Sequence, residues 1–205
     1  MSTHPLWRPY VLADLDEVAQ ARVGGPSRPV EVVPYDETWP AQYELVAARV
    51  RTALGDRVLS LEHIGSTSVP GLAAKPIIDV NLIVADSGDE PAYVPDLEAA
   101  GFTLRVREPD WEQHRVLGIE VPKTNLHVFS PGSREPARTR AFRDWLREDP
   151  EDRAAYGALK SELATREFAE VMDYNNHKAA LVYDIYERIF AADPAHPHDP
   201  QPRAS

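Results

Sequence analysis

From Val30 onward the apolar positions fall into order. Trp39, Tyr43, Val46, Val50 and Ala53/Leu54 recur at three- and four-residue steps, the period of an amphipathic helix, with Thr38 available as N-cap and Gly55 as the stop. The pattern then shortens. "RVLSLEHI" (57–64) reads as a strand, and "IIDVNLIV" (77–84), with β-branched residues on both faces, reads as an inner strand of a sheet. Residues 91–100 predict a short helix with Pro91 near its start, Pro95 inside it and Gly101 at its end. "FTLRV", "HRVLGIEV" and "NLHVF" supply up to three more strands. After "SPGSREP" the chain turns helical, with Phe142, Trp145 and Leu146 in one helix, Tyr156, Leu159 and Leu163 in the next, and Leu181, Ile185 and Ile189 in a third. Strands clustered centrally with helices before and after predict an α+β fold, a mixed β-sheet flanked by helices with a helical C-terminal part.

The two ends read as additions. Asp14 followed by Glu17 resembles a capping box for a helix through "LDEVAQARV", stopped by Gly24-Gly25, and "GGPSRP" reads as a linker. Residues 1–29 are therefore an extension and linker, too short to fold alone and expected to pack on the main body or mediate a contact. The domain proper spans 30–191. The tail 192–205 alternates proline with polar residues and is expected to be disordered, its His196 and His198 solvated rather than metal-bound.

Composition narrows the function. At 205 residues the chain fits one domain of ordinary size. The absence of cysteine excludes disulfides and thiolate metal sites. No early apolar run has the length of a signal peptide or a membrane span, so a cytoplasmic protein without a membrane partner is expected. With 33 acidic against 22 basic residues the formal charge is −11, which works against binding a long nucleic acid and leaves room for a small anionic ligand held locally.

Candidate chemistry concentrates in "EHIGSTSVPGLAAKPIID", residues 62–79. Strand alternation puts Asp79, Asn81 and Ile83 on one face and Ile78, Val80, Leu82 and Val84 on the other. An acid and an amide one pleat apart can offer oxygen ligands to magnesium, which is usually held by one or two carboxylates plus phosphate and water. Gly65 would let backbone N–H groups approach a phosphate, Ser66, Thr67 and Ser68 would donate to it, and Lys75 would add a charge. The same stretch also reads as a turn-rich loop beside a hydrogen-bonded structural acid. His127 shares a face with Asn125 and Phe129 and serves either as a ligand or acid/base group or as a hydrogen-bonded core histidine. Glu62 and His63 point to opposite faces, so at most one faces Asp79. Arg143 either pairs with Asp144 on a helix surface or binds phosphate. Lys160 and Lys178 lie on late helices, either solvated or closing over the pocket. Trp111 and His114 stack on a base or shield the sheet.

Together "EHIGSTSVPGLAAKPIIDV", "REPDWEQHRVL", "NLHVF", "FRDWLREDP" and "AYGALKSELA" resemble the GrpB-like family of bacterial proteins over residues 31 to about 190. That resemblance implies a nucleotidyltransferase fold of the polymerase β type, in which a glycine-serine turn precedes a strand bearing magnesium-binding aspartates. Gly65 and Ser66 fall on the turn and Asp79 on the first aspartate, while the second falls on Asn81 and no third carboxylate follows on "NLHVF". The implied function is nucleotidyl transfer from a nucleoside triphosphate to a small acceptor. Asp79 and Asn81 would hold magnesium, His127 would complete the catalytic set, and Gly65, Ser66, Thr67, Ser68, Lys75, His63, Arg143 and Lys160 would hold the nucleotide. Two alternatives stand beside it: a non-catalytic binder of a nucleotide or phosphometabolite, with a coenzyme A precursor suggested by relatives that look fused to dephospho-CoA kinase, and an interaction protein whose loop is only a structural turn.

Overall fold

The computed structural model of the chain describes residues 2–23, 31–166, 168 and 171–203. The expected linker at 24–29, the helix stop at Gly24-Gly25 and the domain start at Val30 lie outside the described residues. Five strands, β1 (Ser60–Ile64), β2 (Ile78–Ile83), β3 (Thr103–Glu108), β4 (His114–Glu120) and β5 (Lys123–Phe129), form one sheet in the order β1-β2-β5-β4-β3. Only β2 and β5 run parallel; the other three pairings are antiparallel. The sheet is mixed, and among the described residues six helices flank it: α1 (Leu15–Ala21), α2 (Trp39–Leu54), α3 (Val94–Ala99), α4 (Glu135–Glu148), α5 (Pro150–Leu163) and α6 (Val171–Ala192). The fold is α+β with a helical C-terminal part, as the patterning implies.

Local chemistry adjusts the expected boundaries. Thr38 makes no side-chain cap for α2; instead Asp36 Oδ1 accepts from the Thr38 amide at 2.8 Å and its hydroxyl at 2.7 Å, forming the turn that launches the helix. Pro91 and Pro95 split the helix expected at 91–100 into a 3₁₀ turn, Glu90–Ala92, and the six-residue α3. Asp14 does cap α1, accepting from the amides of Asp16 and Glu17.

Each face of the sheet has its own cover. Helices α2 and α3 lie on one side, where Ile78, Val80, Leu82, Leu117, Leu126 and Val128 meet Trp39, Val46, Val50 and Leu97 in the main core. On the other side, Val69 and Leu72 from the loop before β2 pack with Leu146, Tyr156 and Ile185 of α4, α5 and α6. The face of β2 and β5 between these helices is polar, and it carries the candidate site.

The N-terminal extension packs on the main body, as expected. The Asn176 side chain pairs with both backbone groups of Ala13, each at 3.0 Å, and Trp7 Nε1 donates to Glu187 at 2.8 Å. Residues 193–203, expected to be disordered from their composition, carry neither helix nor strand but are tied down. The Asp199 amide donates to the Ser2 carbonyl at 2.9 Å, Gln201 donates its amide to Glu187 at 2.7 Å, and His198 pairs with Glu187 at 2.9 Å. Composition underrated this tail because its partners, Glu187 on α6 and Ser2 at the opposite end of the sequence, lie outside it.

Candidate functional site

Asp79 sits where β2 leaves the loop, opposite Ile64 on β1 and Asn125 on β5. Its side chain retains 28 % of its surface. Asn125 Nδ2 donates to Oδ1 at 2.9 Å, and His127 Nε2 stands 3.8 Å from the same oxygen. Gly65 adopts φ +71°, and a Cβ there would lie 2.6 Å from Asp79 Oδ2, so only glycine lets the loop close over the carboxylate. Burial pushes the Asp79 carboxyl up, but His127, Asn125 and Lys75 outweigh it and hold the group below the usual carboxylate range.

Beside this acid the loop before β2 and helix α6 bring Lys75 and Lys178, and α5 adds Lys160 next to them. Lys75 Nζ lies 5.1 Å from the centroid of the Tyr174 ring, and Lys178 Nζ lies 4.4 Å from the same ring. Lys178 is also 5.8 Å from Tyr156, whose ring holds Lys160 Nζ at 4.7 Å. Cations and rings thus alternate, Lys75–Tyr174–Lys178–Tyr156–Lys160, across the loop, α6 and α5. Lys160 is 2 % exposed and donates to the Ala73 carbonyl. Burial, reinforced by Lys178 and Lys75, lowers Lys160 to about 7. Burial and Lys178 lower Lys75 to about 8, and burial lowers Lys178 to about 8 although Asp79 opposes it. Among the described residues, Asp79 is the one carboxylate felt by Lys75 and Lys178, and none is felt by Lys160. The ring hydroxyl of the fully buried Tyr174 has no partner among the described residues. Such an excess of positive charge in an acidic chain is stable only while the groups are partly neutral or an anion joins them.

A second set of polar groups reaches Asp79 from the far edge of the sheet, on the same face. Glu108 Oε2 is 2.6 Å from His114 Nδ1, and His114 Nε2 is 3.0 Å from His127 Nδ1. These residues share the site face because Glu108 pairs with His114 across β3 and β4, while His127 registers with Val116 of β4 and with Asn81 of β2. His114 is buried against Phe129, rings stacked at 4.6 Å, with Trp111 edge-on at 5.1 Å. Trp111 therefore shields the sheet, capped in turn by the Arg8 guanidinium at 5.2 Å.

Other expected contacts have internal duties. The Thr67 hydroxyl donates to the Ile77 carbonyl at 3.1 Å, and His63 Nε2 lies 3.0 Å from Thr67 Oγ1. Because the hydroxyl proton is engaged, His63 must be the donor there. Its ring stacks on Tyr43 of α2, facing away from Asp79, and burial lowers its pKa to about 4. Ser68 Oγ donates to the Gly65 carbonyl at 2.5 Å. Arg143 holds Asp144 at 2.7 Å and the His63 carbonyl at 2.9 Å. The hydroxyls expected to cradle phosphate thus brace the loop internally, and the guanidinium ties α4 to β1. Of the loop hydroxyls, Ser66 alone turns to the helices, where it bonds to Tyr156 and helps line a cavity of about 100 Å³ with Arg143 and Thr139.

The magnesium expectation meets this geometry poorly. Asn81 is 3 % exposed, and its Nδ2 donates to Thr139 Oγ1 at 2.8 Å. The neighbouring strand presents Asn125 and His127 in place of further acids, and Asp79 already faces two ammonium groups. A hard dication needs anionic oxygen, so these residues do not fit a resident magnesium ion. Elsewhere, His4, Asp193 and His196 offer ligand atoms within 4.8 Å of one another and could hold a metal. However, His4 Nδ1 accepts the Leu6 amide at 3.0 Å, which leaves the proton on Nε2, where it donates to Asp193 at 3.0 Å. That arrangement fastens the tail to the N-terminus without an ion.

Lys178 is the member that sequence reasoning undervalued. The signal was present as a repeated spacing, Tyr156 with Lys160 and Tyr174 with Lys178, each four residues apart on a helix and therefore ring-to-ammonium neighbours.

Among the described residues no helix is long and apolar enough to cross a membrane. The chain is 46 % identical over 178 residues to a UPF0157 protein of Halalkalibacterium halodurans, covering 87 % of this chain and 91 % of that one. A UPF0157 protein of Streptomyces coelicolor is 40 % identical, covering 83 % and 90 %. A dephospho-CoA kinase of Mycolicibacterium paratuberculosis is 31 % identical over 79 % of this chain but only 46 % of its own length. The crystal structure of the conserved protein GrpB from Enterococcus faecalis superposes with a TM-score of 0.67 at 32 % identity, covering 78 % of this chain and 96 % of that one. The GrpB protein family matches residues 29–188, and with the relatives and the structural neighbour in agreement, the chain belongs to the GrpB family.

Proposed function

We propose that this chain binds a small phosphorylated ligand, with Lys75, Lys160 and Lys178 as the anion-binding groups and Asp79 as the counter-ion of Lys75 and Lys178. The observation that carries the reading is the surplus of charge: three converging ammonium groups against one carboxylate, in a chain whose formal charge is −11. A phosphate would relieve the mutual repulsion that lowers Lys75 and Lys160, and lysine suits it as a compact point charge. Tyr156, whose ring lies beside Lys160 and Lys178, and Ser66 add hydroxyls that line the adjoining cavity. Nucleotidyl transfer is less well supported, because Asn81 is tied to Thr139 and the two-metal chemistry of that reaction relies on carboxylates. Relatives named dephospho-CoA kinase carry a matching segment within a longer chain, so phosphorylated coenzyme precursors belong in the ligand set to be tried.

The test is calorimetric titration of inorganic pyrophosphate, ATP and dephospho-CoA into the protein with EDTA present, repeated with Lys178→Met. Binding without metal, weakened at least about tenfold (about 1.4 kcal/mol) in the variant, supports the reading. Binding that needs magnesium, or that ignores Lys178→Met, contradicts it.

A further inference from the structure

Between the loop that closes over Asp79 and helices α4, α5 and α6 lies the cavity of about 100 Å³, which a bare phosphate on the lysines would not use. Its walls differ by side. Gly65, which touches Asp79, and Thr139, which accepts from Asn81 at 2.8 Å, bound it toward the polar face of β2. Val69, Phe142, Leu146 and Tyr156, all from the second hydrophobic cluster, bound it on the other side. The polar groups that reach it are engaged within the protein. Ser66 bonds to Tyr156, the Thr139 hydroxyl donates to the Glu135 carbonyl at 3.0 Å, and Arg143 holds Asp144 at 2.7 Å and the His63 carbonyl at 2.9 Å. With those groups paired off, the cavity suits an aliphatic group better than a charged one. Native interiors keep few voids, because the atoms around one forfeit packing contacts, so one kept beside a binding pocket points to an occupant. An apolar cavity of about 150 Å³ takes up benzene, and on that scale this one accommodates about three or four carbon atoms.

We propose that this cavity is an apolar subsite, and that the ligand is a phosphate or diphosphate ester of a short aliphatic group whose tail enters the cavity while its phosphate meets the lysines. This rests on the phosphate-binding reading of the lysine pocket and adds the class of ester to it. Tyr156 joins the two parts. Its ring lines the cavity, and Lys160 Nζ and Lys178 Nζ lie 4.7 Å and 5.8 Å from the centroid of that ring. A phosphate held by those ammonium groups therefore stands beside the same ring that walls the cavity, within reach of a tail of about three or four carbons. A nucleoside is too large to enter.

The experiment is calorimetric titration of methyl, ethyl, propyl, butyl and octyl phosphate, with EDTA present, into wild type and Val69→Phe, whose larger side chain fills the cavity from its wall. In wild type the affinity is expected to rise about fourfold with each added carbon and to level off at butyl phosphate, with octyl phosphate no tighter. In Val69→Phe, methyl and butyl phosphate are expected to bind alike. Val69→Leu adds one carbon to the same wall; it serves if the first variant fails to fold, and it should end the rise one carbon earlier. A flat series in wild type, or a rise that survives unchanged in the folded variant, overturns the subsite while the phosphate reading stands. Binding of none of the phosphates overturns the phosphate reading and the ester class with it. Xenon uptake by the same proteins, followed by the NMR shift of xenon, then decides the cavity on its own: saturable uptake lost in the variant supports an apolar site, and no saturable uptake overturns it.

Discussion

Ile78, Val80 and Leu82 point one way from β2, and Asp79 and Asn81 point the other, yet the two faces of this strand are organised by different physics. On the first face every partner is apolar and the packing is interchangeable in kind: α2 and α3 supply volume, and the side chains need only fill it. On the second face each group depends on a named partner, Asp79 on Asn125, Asn81 on Thr139, and His127 on His114. The first face holds the molecule together. The second contains charges that the fold itself leaves unbalanced, and such imbalance is what a ligand can exploit. Stability and binding should therefore separate by face.

The largest effect is expected from the apolar side. Leu82 is 0 % exposed, and Leu82→Ala should cost about 2–5 kcal/mol in urea denaturation while the folded fraction binds pyrophosphate with unchanged affinity. A large change in affinity would mean that the faces are coupled. Next comes Gly65, the point where the loop touches the polar face. Gly65→Ala should cost about 1–3 kcal/mol from backbone strain and should also weaken pyrophosphate, because the new methyl displaces Asp79 Oδ2.

The smallest change in stability, and the sharpest contrast, belongs to the lysines. Their folded pKa values of about 7 for Lys160 and about 8 for Lys75 and Lys178 lie below the ordinary value of 10.5. Between these limits the unfolded chain binds more protons than the folded one, so stability rises with pH from about 7 to about 10. Anion binding should run the opposite way and fade as pH passes through 8. Lys160→Met should flatten the stability profile without unfolding the protein, since it exchanges a buried cation for a side chain of similar length. An unflattened profile in denaturant titrations across that range would show that Lys160 is not the strained group.

How much of this was legible in the sequence follows the same division. Periodicity reports which face is buried, so the five strands, the core positions of α2 and the α+β class could be read from Trp39, Val46, Val80 and their spacing. Motif similarity located Asp79 and Gly65. What the sequence could not convey was which hydroxyls and cations were already engaged: Thr67 with Ile77, Arg143 with Asp144 and His63, Asn81 with Thr139. Those pairings join residues up to 80 positions apart, as with Arg143 and His63, and no local pattern encodes them. Lys160 and Lys178 looked like solvated lysines because their neighbours come from other elements. His114 gained its role only when β4 fell beside β5.

The central claim is that Asp79 balances lysines and does not ligate a metal. Calorimetric titration of pyrophosphate into wild type and Asp79→Asn, each with EDTA and with magnesium, tests it most directly, with circular dichroism confirming that both are folded. The account predicts binding in EDTA for both proteins, as tight or tighter in Asp79→Asn because one opposing charge is gone. Binding that appears only with magnesium and disappears in folded Asp79→Asn would contradict it.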